Sequence, residues 1–284
     1  MIRAKKSLGQ NFLIDQNIID KIIQTVPITD NEILEVGPGT GNLTREILRN
    51  KPSKMYLIEK DTFLAESLKE IIDEKVTIFN EDILKFNENS LSKNKIIVFG
   101  NLPYNISTEI LSTWITNLKD DYWFSDLILM FQKEVANRII AQFNTSAYGR
   151  LSILANWRLN IKKICDISPE SFSPRPKIQS SLIHFTPKKK FVEIKDPVNL
   201  EKITRVFFSQ RRKMIKKPFN QIFKNPKEIS KKFDLPIIAT GGISNYENVS
   251  LALKKGATLV GMASQLVIDP FQIPQINSKL SDEK

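Results

Sequence analysis

Asn101-Leu102-Pro103-Tyr104 follows the apolar run Ile96-Ile97-Val98-Phe99-Gly100. A carboxamide, a carbonyl stiffened by proline and an aromatic ring therefore stand together where a buried strand ends. These groups suit an exocyclic amine of a base, whose lone pair is delocalised into the ring and is poorly nucleophilic. Acceptors facing its two protons favour the pyramidal form and stabilise the positive charge that develops in the transition state. The Asn101 side-chain oxygen and the Leu102 main-chain carbonyl are the candidate acceptors, and Tyr104 offers a ring on which an extruded base can stack. The plain alternative for this tetrapeptide is a turn that only ends a strand.

Upstream, Glu35-Val36-Gly37-Pro38-Gly39-Thr40-Gly41 forms a glycine-rich turn between a strand and a helix. Gly37, Gly39 and Gly41 let backbone approach a ligand closely, and Glu59, ending the next strand, can accept both hydrogen bonds of a ribose diol. A dinucleotide fingerprint needs its third glycine at position 42, where this chain has Asn42. Without that glycine, and with no pyrophosphate to cradle, S-adenosylmethionine is the expected cofactor rather than NAD. Asp82, after Asn80-Glu81, can accept from the adenine amino group of that cofactor, although alone it would read as an exposed turn carboxylate. Methyl transfer from a sulfonium is an in-line displacement with a good leaving group. It demands alignment rather than a metal or a strong base.

The elements that position these residues read as α/β. Asp15 can cap a helix whose Ile18, Ile19, Ile22, Ile23 and Val26 share one face, ending at Pro27 and Asp30. Strand-like runs follow at Ile33–Val36, Met55–Ile58, Val76–Phe79, Ile96–Phe99 and Leu127–Phe131, separated by helical periodicity. That alternation predicts a mostly parallel sheet with helices on both faces and ligands beyond the carboxyl ends of the strands. From Pro169 the texture changes to the turn-rich Ser173-Pro174-Arg175-Pro176 and a strand over Ser180–Phe185, and Lys188-Lys189-Lys190 and Asp196-Pro197 read as a linker. Beyond it, Leu200–Phe223 is helical in pattern and carries Lys202, Arg205, Arg211, Arg212, Lys213, Lys216 and Lys217 with few acidic residues, a candidate contact for RNA phosphates.

Composition narrows the classes further. The 284 residues are 41% hydrophobic and carry a formal charge of +11, which suits a globular protein with a polyanionic partner, although the basic balance alone fits binding to a membrane surface almost as well. One cysteine, Cys165, rules out an internal disulfide and a multi-cysteine zinc site, and it reads as a small buried residue of a reducing compartment. The single histidine, His184, lies in strand-like alternation and reads as structural, which disfavours triad hydrolysis and His-ligated metal chemistry. Arg3, Lys5 and Lys6 precede no apolar signal region, and no run approaches the roughly 18 residues of a membrane span, so a cytoplasmic protein is expected.

These residues resemble the ribosomal RNA adenine N6,N6-dimethyltransferases, specifically the small-subunit enzymes of the kasugamycin-sensitivity type. The likeness runs from Lys5 to Asp234 through Lys6-Ser7-Leu8-Gly9-Gln10-Asn11-Phe12-Leu13, the glycine turn, Asn101–Tyr104 and Phe172-Ser173-Pro174-Arg175-Pro176-Lys177-Ile178-Gln179-Ser180. The resemblance implies that Asn11 and Leu13 line the cofactor site with Gly37, Glu59, Asp82 and Asn101, and that Phe172 stacks on the target adenine opposite Tyr104. It implies a Rossmann-like S-adenosylmethionine-dependent domain with a smaller, mostly helical C-terminal domain. The substrate would be two adjacent adenosines in a hairpin near the 3′ end of small-subunit RNA, within a pre-30S particle, modified by a monomer. Two rivals stand beside this reading: the erythromycin-resistance methylases of large-subunit RNA, which share most of the motifs, and nucleic-acid-binding factors that keep the fold without catalysis.

After Asp234 the family's pattern stops. Pro236–Ile243, the helix-like Tyr246–Lys255 and Gly256–Met262 resemble a late βα unit of a flavin-dependent TIM barrel. So short a piece cannot close a barrel, so no flavin activity is expected, and its apolar strands need partners. The expected division is a methyltransferase domain over residues 1–187, a partial basic helical RNA-binding domain over 188–234, and a foreign βα-like segment and tail over 235–284.

Overall fold

A computed structural model describes residues 4–5, 8–118, 122–143, 145–209, 221–222, 238–240, 245–254, 259–261, 276–279 and 281. The chain divides into two compact units, Met1–Glu201 and Lys202–Lys284.

In the first unit the strands are β1 (Phe12–Leu13), β2 (Glu32–Val36), β3 (Lys54–Ile58), β4 (Val76–Phe79), β5 (Ile96–Gly100), β6 (Phe124–Gln132), β7 (Leu159–Ile167), β8 (Phe172–Ser173) and β9 (Ser180–Pro187). Helices α1 (Gln16–Ile23), α2 (Asn42–Arg49), α3 (Thr62–Leu68), α4 (Ser107–Thr116), α5 (Lys133–Ile139) and α6 (Arg150–Arg158) connect them, and α7 (Pro197–Phe208) begins in this unit and ends in the next. Seven strands form one sheet in the order β4-β3-β2-β5-β6-β9-β7. β2 to β6 pair in parallel, and β9 runs antiparallel to both β6 and β7.

The central strands read as unbroken apolar runs because both of their faces are covered. Leu34, Val36, Tyr56, Ile58 and Val98 pack on one face with Ile110, Leu111 and Trp114 of α4. Their neighbours Ile33, Met55, Leu57, Ile97 and Phe99 pack on the other with Ile18, Ile19 and Ile22 of α1 and Leu43 and Ile47 of α2. Phe99 is wholly buried, and truncating it to alanine would cost about 3–5 kcal/mol. Asp15 caps α1 as expected, its carboxylate accepting from the Asn17 and Ile18 amides, but the helix ends at Ile23, before Val26.

β7 has no counterpart among the expected strands. Lys162, Lys163 and Asp166 interrupt its apolar pattern because it lies at a sheet edge, where charge discourages further pairing. Cys165, expected to be buried, is a partly buried free thiol packed against the core, beside the irregular register at Lys163/Cys165. His184 fits its structural reading: Nε2 lies 2.7 Å from Asp126 Oδ1 on the neighbouring strand, and this contact holds the Asp126 carboxyl below its usual range.

In the second unit, β10 (Ile238–Thr240) and β11 (Leu259–Gly261) flank α8 (Tyr246–Lys254) and pair in parallel. The strands expected after Asp234 are present and are each other's partners. No helix among the described residues is long and apolar enough to cross a membrane.

Candidate active site

The sheet order fixes where a ligand can sit. The chain runs outward from β2 through β3 to β4, then returns to place β5 on the other side of β2, creating a topological switch point between β2 and β5. Register aligns the ends: Val36 pairs with Ile58 and Gly100, and Ile58 pairs with Phe79. Gly37, Glu59 and Asn101 therefore leave the sheet at one level. They wall a cleft with about 1170 Å³ of empty space, which Asp82, Tyr104 and the N-terminal segment Leu8–Leu13 also line.

The glycine turn works as its composition requires. Gly37 adopts φ +70°, and its amide donates to the Ile58 carbonyl at 2.9 Å. Gly39 adopts φ +60°, and a Cβ there would lie 2.8 Å from the Phe12 ring. A side chain would be both strained and obstructed. The Gly39 amide donates to Glu59 Oε2 at 3.1 Å, and the Asp61 amide donates to Oε1 at 2.8 Å. Each Glu59 oxygen keeps a second acceptor direction for a diol. Burial pushes the Glu59 carboxyl up, against the lowering effect of the Asp61 and Gly39 amides. Behind it, Glu35 is wholly enclosed and accepts from the Thr44 hydroxyl at 2.7 Å. Burial raises its pKa to about 8, so this carboxyl holds a proton at neutral pH. Asp82 accepts from Lys60 Nζ at 2.7 Å and from the Leu84 amide at 3.1 Å, and the lysine contact above all holds its carboxyl below the usual range.

Asn101 Nδ2 donates to the Asn11 carbonyl at 2.7 Å, which leaves Oδ1 as the free acceptor of the carboxamide. Leu102 buries its side chain in the core, which anchors the loop that presents its carbonyl. Leu13 is buried, and its carbonyl accepts from Asn42 Nδ2 at 2.7 Å. The residue that replaces the dinucleotide glycine thus ties the N-terminal segment to the glycine turn. Lys5 Nζ and Gln10 Nε2 bond the two oxygens of Asp61 at 2.9 and 3.0 Å, while Asp61 also caps α3 through the Phe63 amide. Burial would raise the Asp61 carboxyl, and these bonds outweigh it and hold it low. Sequence reading missed Asn42, Asp61, Lys5 and Gln10 as site-building residues. Only the position of Asn42 at the missing glycine carried a signal.

Tyr104 is half-buried on the cleft wall, and its hydroxyl bonds the Ser180 hydroxyl. Phe172 differs from the expectation that it stacks opposite Tyr104. β8 pairs with β1, setting Phe172 against Leu13, and its ring is 3% exposed in the core with Ile18, Ile167 and Leu182. It supports the cleft from behind and is absent from the lining. Lys202 and Arg205 are exposed on α7, whereas Arg211, Arg212, Lys213, Lys216 and Lys217 lie outside the described residues.

The donor set fits a nucleoside sulfonium. The carboxylate at Glu59 suits a ribose diol, the carboxylate at Asp82 suits an amino group, and Ile58, Ile83 and Leu84 give apolar walls for a purine.

A family model described as "Ribosomal RNA adenine dimethylase" matches residues 1–240. The chain is similar to "Ribosomal RNA small subunit methyltransferase A" of Pelagibacter ubique, 62% identical over 236 residues, covering 83% of this chain and 90% of that one. A relative of the same name from Nitrobacter winogradskyi is 34% identical over 270 residues, covering 93% of this chain and 94% of its own. An alignment of that reach runs past Asp234, so part of the segment expected to be foreign has a counterpart there. Among solved structures, a dimethyladenosine transferase from Plasmodium falciparum superposes with a TM-score of 0.61 at 26% identity, over 80% of this chain and 83% of its own. The 23S rRNA methyltransferase ErmE gives 0.58 at 21% identity, over 78% of this chain and 88% of its own, a likeness of fold. With the sheet, the glycine turn and the Asn101 loop in this arrangement and a matching family model over most of its length, the chain belongs to the ribosomal RNA adenine dimethylase family.

Proposed function

We propose that this chain transfers methyl groups from S-adenosylmethionine to N6 of two adjacent adenosines in the 3′-terminal hairpin of small-subunit ribosomal RNA, giving N6,N6-dimethyladenosine during ribosome assembly. The observation that carries this reading is the adjacency of the two motifs: a Cβ built on Gly37 lies 3.6 Å from the Asn101 carbonyl oxygen. A cofactor on the glycine turn and an amine at Asn101 share one cleft. The bound cofactor supplies an electrophilic methyl group on a sulfonium, and Gly37, Gly39, Glu59 and Asp82, with Asn11 and Leu13, would hold it.

Asn101 Oδ1 and the Leu102 carbonyl accept hydrogen bonds from the two N6–H groups, draw the nitrogen toward its pyramidal form and stabilise its growing positive charge. As the N–CH3 bond forms, the S–CH3 bond of the sulfonium breaks with its electron pair left on sulfur, and the methylated nitrogen sheds one proton to solvent. One N–H then remains, so a single acceptor still orients the amine and the same site serves the second transfer. The Tyr104 ring holds the extruded base while the adjoining walls exclude water. Relatives at 62% and 34% identity carry the small-subunit name, whereas the large-subunit alternative draws only on a likeness of fold. The intact acceptor loop supports an active enzyme over a non-catalytic binding factor.

We further propose action on a pre-30S particle by a cytoplasmic monomer, with residues 1–187 catalytic, the basic stretch of 188–234 on RNA phosphates, and 235–284 outside the chemistry. The test is methyl transfer to unmodified small subunits, followed by ribonuclease digestion and mass spectrometry of the resulting oligonucleotides and of their nucleosides. N6,N6-dimethyladenosine at two adjacent positions supports the proposal. A product that stops at monomethyladenosine, or a methyl group on another base, contradicts it.

A further inference from the structure

We propose that Ser180 is a positioning residue that sets the swing of the Tyr104 ring; this rests on the functional reading above. Ser180 opens β9 and is wholly buried. It lies where two ladders meet, paired with Gln132 of β6 on one side and Ile167 of β7 on the other. Its hydroxyl bonds the Tyr104 hydroxyl at 2.5 Å, across 76 residues of sequence. The backbone end of Tyr104 is also held: the Ser107 hydroxyl donates to the Tyr104 carbonyl at 3.2 Å, and the Pro103 carbonyl accepts from the Ile106 and Ser107 amides.

The geometry of a tyrosine gives this anchor a specific effect. The phenolic oxygen lies on the Cβ–Cγ axis, so its position depends on χ1 and is indifferent to χ2. A partner fixed in the sheet therefore selects one χ1 well and denies the ring the others. The two ends of the ring are tied to different parts of the fold, one to the β5–α4 loop and the other to the antiparallel end of the sheet. A stacking platform held this way keeps its ring axis at one place relative to Asn101. Misplacement by about an ångström at such a point costs orders of magnitude in rate. Ser180 touches neither base nor cofactor in this scheme, and its whole effect passes through the Tyr104 hydroxyl.

The test is a double-mutant cycle in the full chain, using Ser180→Ala, Tyr104→Phe, the double variant and Ser180→Thr. Single-turnover methylation of unmodified small subunits is measured beside cofactor affinity by calorimetry and thermal melting. We expect each single variant to lower the transfer rate about tenfold while cofactor affinity stays within twofold of wild type. The double variant should be no slower than the slower single, and Ser180→Thr, which keeps the hydroxyl, should recover most of the rate. Multiplying defects in the double variant, or a Ser180→Ala rate within twofold of wild type, would overturn the anchor. So would a rate loss matched by falling cofactor affinity and melting temperature, the mark of a merely structural serine. A wild-type chain that transfers no methyl group to small subunits would overturn the functional reading itself, and this inference with it.

Discussion

Replacing Asn101 separates the chemistry from the scaffold, because its carboxamide does two jobs through different atoms. Nδ2 bonds the Asn11 carbonyl at 2.7 Å, and in the proposed mechanism Oδ1 accepts from the target amine. Asn101→Ala removes both. Loss of an acceptor that acts in the transition state is worth about 2.7–4 kcal/mol, a fall of about 10²–10³ in the transfer rate. Loss of the bond to Asn11 is worth about 0.5–1.5 kcal/mol and falls on the N-terminal segment, so cofactor affinity should weaken by no more than about tenfold. Asn101→Asp isolates the second effect: it keeps an acceptor but sets an oxygen against the Asn11 carbonyl, so cofactor affinity should suffer at least as much as in the alanine variant. The assay is single-turnover methylation at saturating cofactor, with calorimetry to separate binding from transfer. An Asn101→Ala rate within about threefold of wild type in a folded, cofactor-saturated protein would refute the assignment.

Further expectations concern other parts of the molecule. Glu59→Ala should act mainly on cofactor affinity, by about 1.5–3 kcal/mol for a charged acceptor, and calorimetry showing unchanged binding would remove Glu59 from the ribose site. Glu35, with its carboxyl raised to about 8 from 4.5, retains in the folded state a proton that the unfolded chain releases. Its contribution to stability is therefore fully present below about pH 4.5 and is lost as pH rises through about 8. Glu35→Gln should flatten the decline between these limits by up to about 1.4 kcal/mol per pH unit in urea unfolding, and parallel profiles would contradict the burial argument. Replacing Arg211, Arg212 and Lys213 together should reduce the log–log salt slope of RNA binding by about two to three, and an unchanged slope would make them a solvated face.

The sequence disclosed what is local. Apolar runs ending at Gly37, Glu59 and Gly100 marked β2, β3 and β5, because strands buried on both faces leave little room for other residues, and the run ending at Asn80 marked the edge strand β4. Contacts that join distant segments were hidden. Asn42 to Leu13, Lys5 to Asp61 and Tyr104 to Ser180 each link segments whose contact only the folded sheet creates. β7 was obscured by the charges suited to an edge. Phe172 illustrates the limit of a motif. The resemblance implied a stacking face there, and the β1–β8 pairing turns that ring into the core.

The most direct measurement gives the purified chain equal amounts of unmodified small and large ribosomal subunits, with isotopically labelled S-adenosylmethionine, and locates the label. The account predicts label on small subunits, at N6 of two adjacent adenosines near the 3′ end of the RNA, and its loss with Asn101→Ala. Label on large-subunit RNA instead, or undiminished transfer by the Asn101 variant, would contradict it.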